Sequence, residues 1–437
     1  MFCQAYIIPF IISFIIIIPA VLFMKSFALK YKIMDDPLKD AERRLQSKPI
    51  PLLGGLAIFL GFFAIAAYYA FRTDRILFST SSILAKHLIG IFIGASILMI
   101  GGFFDDKYKL RPKYAIIAPI LASFVVIGSG VAITYITNPF GGIIRLDLFK
   151  IVLFKWGGLP YKISLPSDLI TFFWILGMIY TTKLLDGLDG LATGITAIGA
   201  FVIFGASLSK VYVIPQVALL SIILAGACLG FLIFNFNPAK IFLGEGGSTL
   251  CGFLLAALGI LSQGKVAVTL LVMGIPILDV LWVIGRRMVC PPLSQRWDGG
   301  DFSEVGSMEL GLPLTARAGS NASGCMEEED KLCRRKSHPS PPLKGEGGCP
   351  PSFEEGVRGR LNVFQADRKH LHHRLLDAGF SHRGAVLFLY LITGIFGIAS
   401  LFLQSKGRFV ALGVLLIVMV IVGMRVVRKY QKNNSKF

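Results

Sequence analysis

The sequence predicts an all-α integral membrane protein, a polytopic bundle of about 10–11 transmembrane helices. Hydrophobic residues make up 54% of the 437 residues, charged residues make up only 16%, and the mean hydropathy is +0.69. A soluble domain of this length carries more charge and lacks repeated apolar runs of about twenty residues, the length that crosses a bilayer. Eleven stretches near that length occur here, so composition and run length indicate the same fold class.

Each apolar stretch predicts one span. The first stretch lacks the basic leader and short core of a cleaved signal peptide, so we expect a retained helix. The eighth stretch is short and flanked by glycines. In chain order the eleven stretches are Tyr6–Met24, Leu52–Phe71, Leu88–Phe104, Tyr114–Ile133, Leu169–Leu184, Leu191–Ser207, Tyr212–Phe234, Thr249–Ser262, Val266–Ile284, Ala385–Leu403 and Phe409–Met424.

The distribution of basic residues predicts the orientation of the spans. An odd number of spans places the termini on opposite sides, and Lys and Arg in short loops favour the cytoplasm. Without the long segment 286–383, the segments on the side of the C-terminus hold 18 Lys and Arg residues and the others hold 11. We therefore expect a multi-pass protein of the inner (plasma) membrane with its N-terminus outside and its C-terminus inside. Topology and contact with anionic membrane lipid account for most of the net charge of +18, and no nucleic acid partner is needed.

The chain divides into three segments. Residues 1–289 form a membrane domain, 290–362 a cytoplasmic insert predicted to be disordered because Gly, Pro, Ser and charge dominate it, and 363–437 a basic His-rich loop with the last two spans. The outer loop Thr137–Pro166 alternates enough to predict a short β-hairpin.

The seven cysteines do not indicate a zinc site or a disulfide framework. No CxxC pair occurs, and Cys228 and Cys251 fall inside apolar runs where they are expected to pack as small hydrophobic residues. Four further cysteines lie in the insert at irregular spacing, which leaves a metal-binding insert as an alternative.

Four polar clusters fall on the cytoplasmic side of a topology that was derived without reference to them. An ionised group at a membrane edge is expected to serve a function, so their coincidence predicts one site. For each acidic cluster the alternative is a loop that caps the next helix and faces solvent. The clusters are Asp105-Asp106, Asp186 with Asp189, Gly244-Glu-Gly-Gly-Ser248, and Asp367-Arg-Lys-His-Leu-His-His-Arg374.

The acidic clusters have the chemistry of a divalent cation site. Asp186 and Asp189 are three residues apart and share a face if helical. The adjacent carboxylates of Asp105 and Asp106 repel each other and favour a hard cation with oxygen ligands, Mg²⁺ or alternatively Mn²⁺, and Glu245 offers one more oxygen ligand. The glycines after Leu243 either let the backbone approach a phosphate or form a turn into the eighth span.

The histidines and neighbouring arginines suit an anionic ligand. His370, His372 and His373 lie beside Arg368 and Arg374, and zinc sites seldom carry so much positive charge. The alternative is a basic stretch that contacts lipid headgroups. Acids for a metal, bases for a phosphate and a membrane edge together predict phosphoryl chemistry on a lipid phosphate, which needs mostly positioning and charge neutralisation.

The ordered motifs resemble those of a known family over nearly the whole chain except about 290–362. They resemble the polyprenyl-phosphate N-acetylhexosamine-1-phosphate transferases (glycosyl transferase family 4), and the Arg/Lys-His-x-His-His form is closer to the N-acetylglucosamine branch than to the muramoyl-pentapeptide branch. The motifs are Lys48-Pro-Ile-Pro-Leu-Leu-Gly-Gly55, Gly102-Phe-Phe-Asp-Asp106, Asp186-Gly-Leu-Asp-Gly-Leu-Ala192, Asn237-Pro-Ala-Lys-Ile-Phe-Leu-Gly-Glu-Gly-Gly-Ser248 and Asp367-Arg-Lys-His-Leu-His-His373.

The resemblance implies a reaction and a set of partners. A UDP-N-acetylhexosamine, expected to be UDP-GlcNAc, would give its sugar 1-phosphate to polyprenyl phosphate with Mg²⁺, release UMP and start a lipid-linked cell-envelope glycan. A homodimer is compatible with the sequence.

The resemblance also implies roles for individual residues. The expected catalytic residues are Asp105, which positions the lipid phosphate, and Asp106, Asp186 and Asp189, and the expected metal ligands are Asp106 and Glu245. The expected substrate-binding residues are Lys113, Lys183, Arg368, His370, His372, His373 and Asp279, an acid inside the ninth span that needs a partner.

Three features depart from the family's pattern. Asp is usual where Glu245 stands, and one more methylene moves the carboxylate relative to a Mg²⁺ with strict geometry. Asn is common where Lys183 stands, and a cation there either replaces a contact or opposes the metal. The insert at 290–362 interrupts a connection that is usually short, and because long loops are tolerated we expect it to leave the site intact.

Four alternatives remain open at this point. The muramoyl-pentapeptide branch would use a different UDP-sugar. A CDP-alcohol phosphotransferase also places spaced aspartates at a membrane edge, but it gives no reason for the histidines. A transporter usually shows paired repeats and polar groups at mid-membrane, which are not evident here. An inactive relative would explain Glu245, Lys183 and the insert.

Overall fold

The structure is a computed structural model, and it describes most of the chain in eleven ranges. One compact unit is formed by residues 1–281 with 367–437, and the second unit, 282–366, lies almost entirely outside those ranges. The described residues are 3–35, 49–72, 85–138, 142–147, 150–156, 159–209, 213–262, 266–289, 370–403, 406–408 and 410–418. The predicted insert at 290–362 therefore lies outside the described residues.

The described bundle contains thirteen α-helices besides the helical residues at 406–408 and 410–418, and a π-helical turn, Cys3–Ile7, precedes the first. Apolar side chains fill both the interior and the lipid-facing surface, as expected for helices in a membrane. The helices are α1 Ile8–Lys30, α2 Gly54–Arg72, α3 Ala85–Tyr108, α4 Pro112–Ala115, α5 Ile117–Gly128, α6 Leu165–Leu185, α7 Leu191–Ser207, α8 Pro215–Asn235, α9 Gly244–Leu261, α10 Val266–Val272, α11 Gly274–Val289, α12 Leu371–Asp377 and α13 His382–Phe402.

The helices confirm the predicted class of an all-α polytopic membrane protein. Within the described residues, seven helices are long and apolar enough to span a membrane, and an eighth span is formed if α10 and α11 are counted together. Two shorter apolar helices, Pro112–Gly128 and α7, fall on the predicted fourth and sixth stretches. The eleventh stretch is described as helix over 410–418 only.

The ninth span differs from the uniform helix that its sequence predicted. α10 and α11 meet at Met273 with a bend of 71°, which makes this segment a broken span or a re-entrant loop. A Cβ on Gly274 would lie 2.3 Å from Cδ2 of Leu415, so the glycine lets the broken segment approach the last apolar stretch closely.

Three short antiparallel pairs of strands lie outside the bundle. The strand pair β1 (Met34–Asp35) and β2 (Ile50–Pro51) follows α1 and precedes α2. The pairs β3 (Tyr135–Thr137) with β4 (Ile143–Arg145) and β5 (Lys150–Trp156) with β6 (Leu159–Ser164) connect α5 to α6. The sequence predicted one short hairpin in this loop, and two are present.

Helix α9 lies at the centre of the bundle, although its sequence gave the shortest of the apolar stretches. It packs against α2, α3, α6 and α7, and every one of its 18 residues except Glu245 is buried. Cys251 in α9 and Cys228 in α8 are buried among apolar side chains, as predicted.

Glycines let neighbouring helices approach the first turn of α9. A Cβ on Gly55 would lie 2.1 Å from Cα of Gly247, and a Cβ on Gly102 would lie 2.1 Å from Cα of Gly246. Real Cβ atoms do not come this close to backbone, so α2 and α3 can contact α9 here only through glycine. Of the two predicted roles for this glycine-rich stretch, the turn into the eighth span is therefore the one that the packing supports.

Candidate active site

A pocket of about 650 Å³ opens at one end of the bundle, where several helices begin or end. Its wall combines the last turn of α3, the loop from α6 to α7, the loop from α8 to α9, and the segment from α12 to the start of α13. The predicted clusters are far apart in sequence and meet here. The predicted site residues that line the pocket are Asp106, Lys183, Asp186, Asp189, Glu245 and His373.

Asp106 connects α3 to the beginning of α9. Its side chain is 7% exposed, and Oδ1 accepts a hydrogen bond of 3.0 Å from the backbone N–H of Glu245. The preceding Gly244 has φ +77°, and a Cβ there would lie 2.7 Å from Oδ2 of Asp106. The glycine thus permits both the left-handed backbone and the close approach of the carboxylate.

Lys183 in the last turn of α6 lies between two carboxylates. Its Nζ is 2.9 Å from Oε2 of Glu245 and 3.4 Å from Oδ2 of Asp105. Asp105 also accepts a hydrogen bond of 3.0 Å at Oδ1 from the backbone N–H of Leu110. These contacts connect three helices, α3, α6 and α9.

Asp186, directly after α6, is surrounded by other acids. Burial, and then the negative charges of Glu245, Asp106 and Asp189, together raise the pKa of its carboxyl group to about 8. Desolvation and like charges both disfavour the ionised form, so a bound cation would stabilise this cluster.

Asp189 is held by a turn that follows α8. Its Oδ2 accepts hydrogen bonds from Nδ2 of Asn237 at 2.9 Å and from the backbone N–H of Ala239 at 3.1 Å. Its own backbone N–H donates to Nε2 of His382 at 3.0 Å, and Arg383 donates from Nε to the carbonyl oxygen of Asn237 at 2.9 Å. The α6–α7 loop is thereby fixed to both α8 and α13.

The three predicted histidines have different surroundings. Nδ1 of His370 lies 2.9 Å from Oδ2 of Asp279, and Oδ1 of Asp279 accepts a hydrogen bond of 2.8 Å from the backbone N–H of Leu371. The ring of His370 is stacked on that of His372 with centroids 5.6 Å apart, and His373 follows at 4.4 Å. Only His373 of the three lines the pocket.

His372 is buried against the α6–α7 loop. A Cβ on Gly187 would lie 2.4 Å from its Nε2. Burial, and then the charges of His373, His370 and His382, lower the pKa of His372 well below its ordinary value. The ring is therefore neutral at physiological pH.

Several predicted residues lie away from the pocket wall or outside the described residues. Asp105, Lys113, His370, His372 and Asp279 do not line the pocket, and Lys113 is exposed in α4. Asp279 and His370 are paired with each other and both are buried, so Asp279 has the partner that its position required. Arg368 lies outside the described residues.

The pocket also contains polar residues that sequence reasoning did not assign to the site. Asn237 opens the motif that ends at Ser248, and His382 lies in the His-rich region. An amide in a turn and a histidine at the start of a helix do not indicate a site by themselves. The additional polar lining residues are Asp35, Lys109, Asn235, Asn237, Ser248 and His382.

The carboxylates do not form a self-sufficient metal cage. Among the described residues, no group of three or more His, Cys, Asp or Glu side chains is placed to hold a metal ion. Mg²⁺ usually takes one or two protein carboxylates together with water and substrate phosphates, so a pocket lined by Asp106, Asp186 and Glu245 fits that cation in the presence of substrate.

The sequence is similar to those of several known proteins. Residues 88–263 match the family model described as Glycosyl transferase family 4. A probable undecaprenyl-phosphate N-acetylglucosaminyl 1-phosphate transferase of Bacillus subtilis is 26% identical over 422 residues, 95% of this chain and 89% of the relative. A decaprenyl-phosphate N-acetylglucosaminephosphotransferase of Mycobacterium tuberculosis is 29% identical over 372 residues, 82% of this chain and 74% of the relative.

A relative from the muramoyl-pentapeptide branch is also similar in sequence to this chain. A phospho-N-acetylmuramoyl-pentapeptide-transferase of Oceanobacillus iheyensis is 31% identical over 247 residues, 54% of this chain and 68% of the relative. The matched residues 88–263 include Asp106, Asp186, Asp189 and Glu245 of the pocket wall, and the chain belongs to glycosyl transferase family 4.

Proposed function

We propose that this chain transfers N-acetylglucosamine 1-phosphate from UDP-N-acetylglucosamine to polyprenyl phosphate, releases UMP and starts a lipid-linked cell-envelope glycan. The observation that carries the proposal is that acidic residues of α3, the α6–α7 loop and the start of α9 meet a His-rich segment in one pocket at the end of a bundle of membrane-spanning helices. The names of the Bacillus and Mycobacterium relatives support the choice of sugar and lipid.

The reaction forms one phosphorus–oxygen bond and breaks another. An oxygen of the lipid phosphate attacks the phosphorus that carries the sugar, and the bond from that phosphorus to the bridging oxygen breaks. The bridging oxygen and its electron pair leave with UMP. A phosphate with a second pKa near 6 is already largely ionised at neutral pH, so the attacking group needs positioning more than deprotonation.

The protein's part is to position two anionic substrates and neutralise their charge. We assign Asp105 to the positioning of the lipid phosphate and Lys113, which is exposed in α4, to its binding. Asp186 and Asp189 arrange the nucleotide, and His373 in the pocket wall binds the diphosphate. His370, His372, Asp279 and Arg368 belong to the same proposal as residues that bind substrate directly or hold the His-rich segment in place.

A divalent cation, Mg²⁺ or Mn²⁺, belongs to the proposal with Asp106 and Glu245 as its protein ligands. When bound, it supplies positive charge that neutralises the diphosphate of the donor. The clustering of Asp106, Asp186 and Glu245 in one pocket supports this assignment.

We place the protein in the inner (plasma) membrane with the pocket on the cytoplasmic side, the N-terminus outside and the C-terminus inside. The asymmetry of Lys and Arg residues supports this orientation. The pocket lies at the C-terminal ends of α3 and α6, where the sequence-based topology also puts the cytoplasm.

The test uses purified full-length protein with polyprenyl phosphate, Mg²⁺ and a panel of UDP-sugars, and identifies the lipid product by mass spectrometry. We expect a lipid diphosphate-linked N-acetylhexosamine and an equal amount of UMP. A product formed only from UDP-N-acetylmuramoyl-pentapeptide would assign the chain to the other branch, and transfer only from CDP-activated donors would overturn the proposal.

A matched pair of variants tests the site itself. Asp186→Asn removes an acid from the pocket, whereas Asp377→Asn removes an exposed acid of α12 that does not line it. We expect Asp186→Asn to lose at least about 100-fold in rate, because the interactions removed act on charged groups. Asp377→Asn keeps the wild-type rate, and equal effects of the two would contradict the assignment of the pocket.

A further inference from the structure

The ammonium group of Lys183 occupies a place where a metal cation would also be attracted. It lies 2.9 Å from Oε2 of Glu245 and 3.4 Å from Oδ2 of Asp105. The three side chains come from α6, α9 and α3, and the side chain of Lys183 is only 25% exposed. A lysine so placed neutralises one negative charge of the acidic cluster without any bound ion.

Most of the charged side chains around the contact between Lys183 and Glu245 are carboxylates. The carboxylates of Asp106, Asp186 and Asp189 line the same cavity as Glu245, and Lys109, the other lysine in the wall, is exposed. Opposite charges 3 to 4 Å apart in a partly desolvated site attract more strongly than exposed pairs do. The carboxylate of Glu245 can pair with the ammonium group of Lys183 or bind a divalent cation from solution.

We propose that Lys183 is a built-in cation that pairs with Glu245 in the metal-free site and competes with the divalent cation for this carboxylate. The two residues then act as one unit, so that the longer side chain of Glu245 is matched to the ammonium group of Lys183. They stand at the two positions where the sequence departs from the family's usual Asn and Asp. The identity of the cation as Mg²⁺ or Mn²⁺ rests on the proposed function, whereas the pairing of the two residues does not.

A purely structural role for the ion pair makes a different prediction. If Lys183 only joined α6 to α9, its removal would lower stability and leave metal affinity unchanged. If it competes with the metal, its removal lowers the stability of the metal-free protein and at the same time strengthens metal binding. Metal affinity is therefore the measurement that separates the two roles.

The experiment measures Mn²⁺ binding to purified full-length protein in detergent, without nucleotide or lipid, by the loss of the electron paramagnetic resonance signal of free Mn²⁺. The variants are Lys183→Asn, Glu245→Asp, the double variant, and Lys240→Asn as a control that removes an exposed lysine outside the pocket wall. We expect Lys183→Asn to bind Mn²⁺ about three- to tenfold more tightly than wild type, since it removes the nearest positive charge. Lys240→Asn keeps the wild-type affinity. An affinity of Lys183→Asn within twofold of wild type, or no binding to either protein, overturns the proposal.

Thermal unfolding of the same proteins in EDTA tests whether the two residues act as a pair. Each single variant is expected to lower the melting temperature, because Lys183→Asn leaves the Glu245 carboxylate without its cation and Glu245→Asp draws the carboxylate back from the ammonium group. The double variant is expected to unfold no lower than the less stable single variant, since both changes remove the same interaction. Melting-temperature losses that simply add would contradict the pairing. Neither measurement uses a substrate, so an absence of transferase activity would overturn the proposed function and leave this inference standing.

Discussion

The imidazole ring of His382 accepts a hydrogen bond at Nε2 from the backbone N–H of Asp189, 3.0 Å away, although 193 positions separate the two residues. An imidazole nitrogen that accepts cannot carry a proton, so the neutral ring of His382 has its proton on Nδ1. The same loop is held from the other side, because Asn237 donates to the carboxylate of Asp189 and receives a hydrogen bond from Arg383. A closed set of hydrogen bonds thus fixes the acidic loop to two helices.

Replacement of His382 is expected to affect activity according to the acceptor that remains. His382→Phe loses the acceptor for the partly buried N–H of Asp189, and we expect the rate to fall about 10- to 100-fold because that donor is left unsatisfied. His382→Gln can place an amide oxygen near the position of Nε2 and should recover most of the rate. Steady-state kinetics with both variants gives the comparison, and equal losses in the two would contradict a role through this hydrogen bond.

Asp279 and His370 are expected to behave as a coupled pair. Asp279→Ala removes the partner of the His370 ring and the acceptor for the backbone N–H of Leu371, so the start of α12 loses both of these hydrogen bonds to α11. We expect about a 10- to 100-fold loss of activity in Asp279→Ala and a similar loss in His370→Ala. The double variant should lose little more than either single variant. Losses that multiply would instead favour separate contacts of the two residues with substrate.

The depressed pKa of His372 makes stability depend on pH. In the unfolded chain a histidine has a pKa of about 6.5, whereas burial holds the pKa of the folded His372 ring well below that value. Below about pH 6.5 the unfolded state binds a proton that the folded state does not, so the contribution of His372 is fully present above that pH and is lost as pH falls. The slope approaches about 1.4 kcal/mol per pH unit.

Melting temperatures of wild type and His372→Gln between pH 5 and pH 8 test this dependence. Subtracting one curve from the other removes the titration of all other groups. We expect the advantage of wild type to shrink as the pH falls below about 6.5. A difference that is constant over this range would show that the folded ring titrates normally.

The close contact between α3 and α9 predicts an unusual cost for one added methyl group. Gly102→Ala would place a Cβ 2.1 Å from Cα of Gly246, the residue that follows Glu245 in the first turn of α9, so one of the two helices would have to shift. We expect a destabilisation of about 1–3 kcal/mol and a clear loss of activity. Gly177→Ala in α6 is the matched control, because nothing lies within 4 Å of the added atom. The control should be neutral or slightly stabilising by helix propensity, and equal behaviour of the two variants would contradict the packing argument.

The sequence predicted the membrane fold well because the length of an apolar run is fixed by bilayer thickness rather than by tertiary detail. It did not reveal the break between α10 and α11, since both halves are apolar and a bend does not change the mean hydropathy. It also gave no sign that the short, glycine-flanked eighth stretch is the central helix. That position depends on pairs of glycines such as Gly102 and Gly246, which come from different helices.

Residues of the pocket wall were predictable where a charged side chain lies at a membrane edge, because an ionised group is costly there unless it serves a function. Asp106, Asp186, Asp189, Glu245 and His373 were found in this way. Asn237 and His382 were not, since a neutral amide in a turn and a histidine at a helix start carry no such signal. Both are joined to Asp189 by hydrogen bonds, and those bonds exist only after the chain has folded.

The attachment of His370 and Leu371 to Asp279 has a consequence for the long connection between α11 and α12. The start of α12 takes its position from a carboxylate in α11 and not from the length of chain that joins the two helices. Doubling that length costs only about 0.6 kcal/mol of closure entropy. Protein engineers can therefore splice a fluorescent reporter into the 290–362 region, or cut the polypeptide there and co-express the fragments, with the histidines still arriving at the same register.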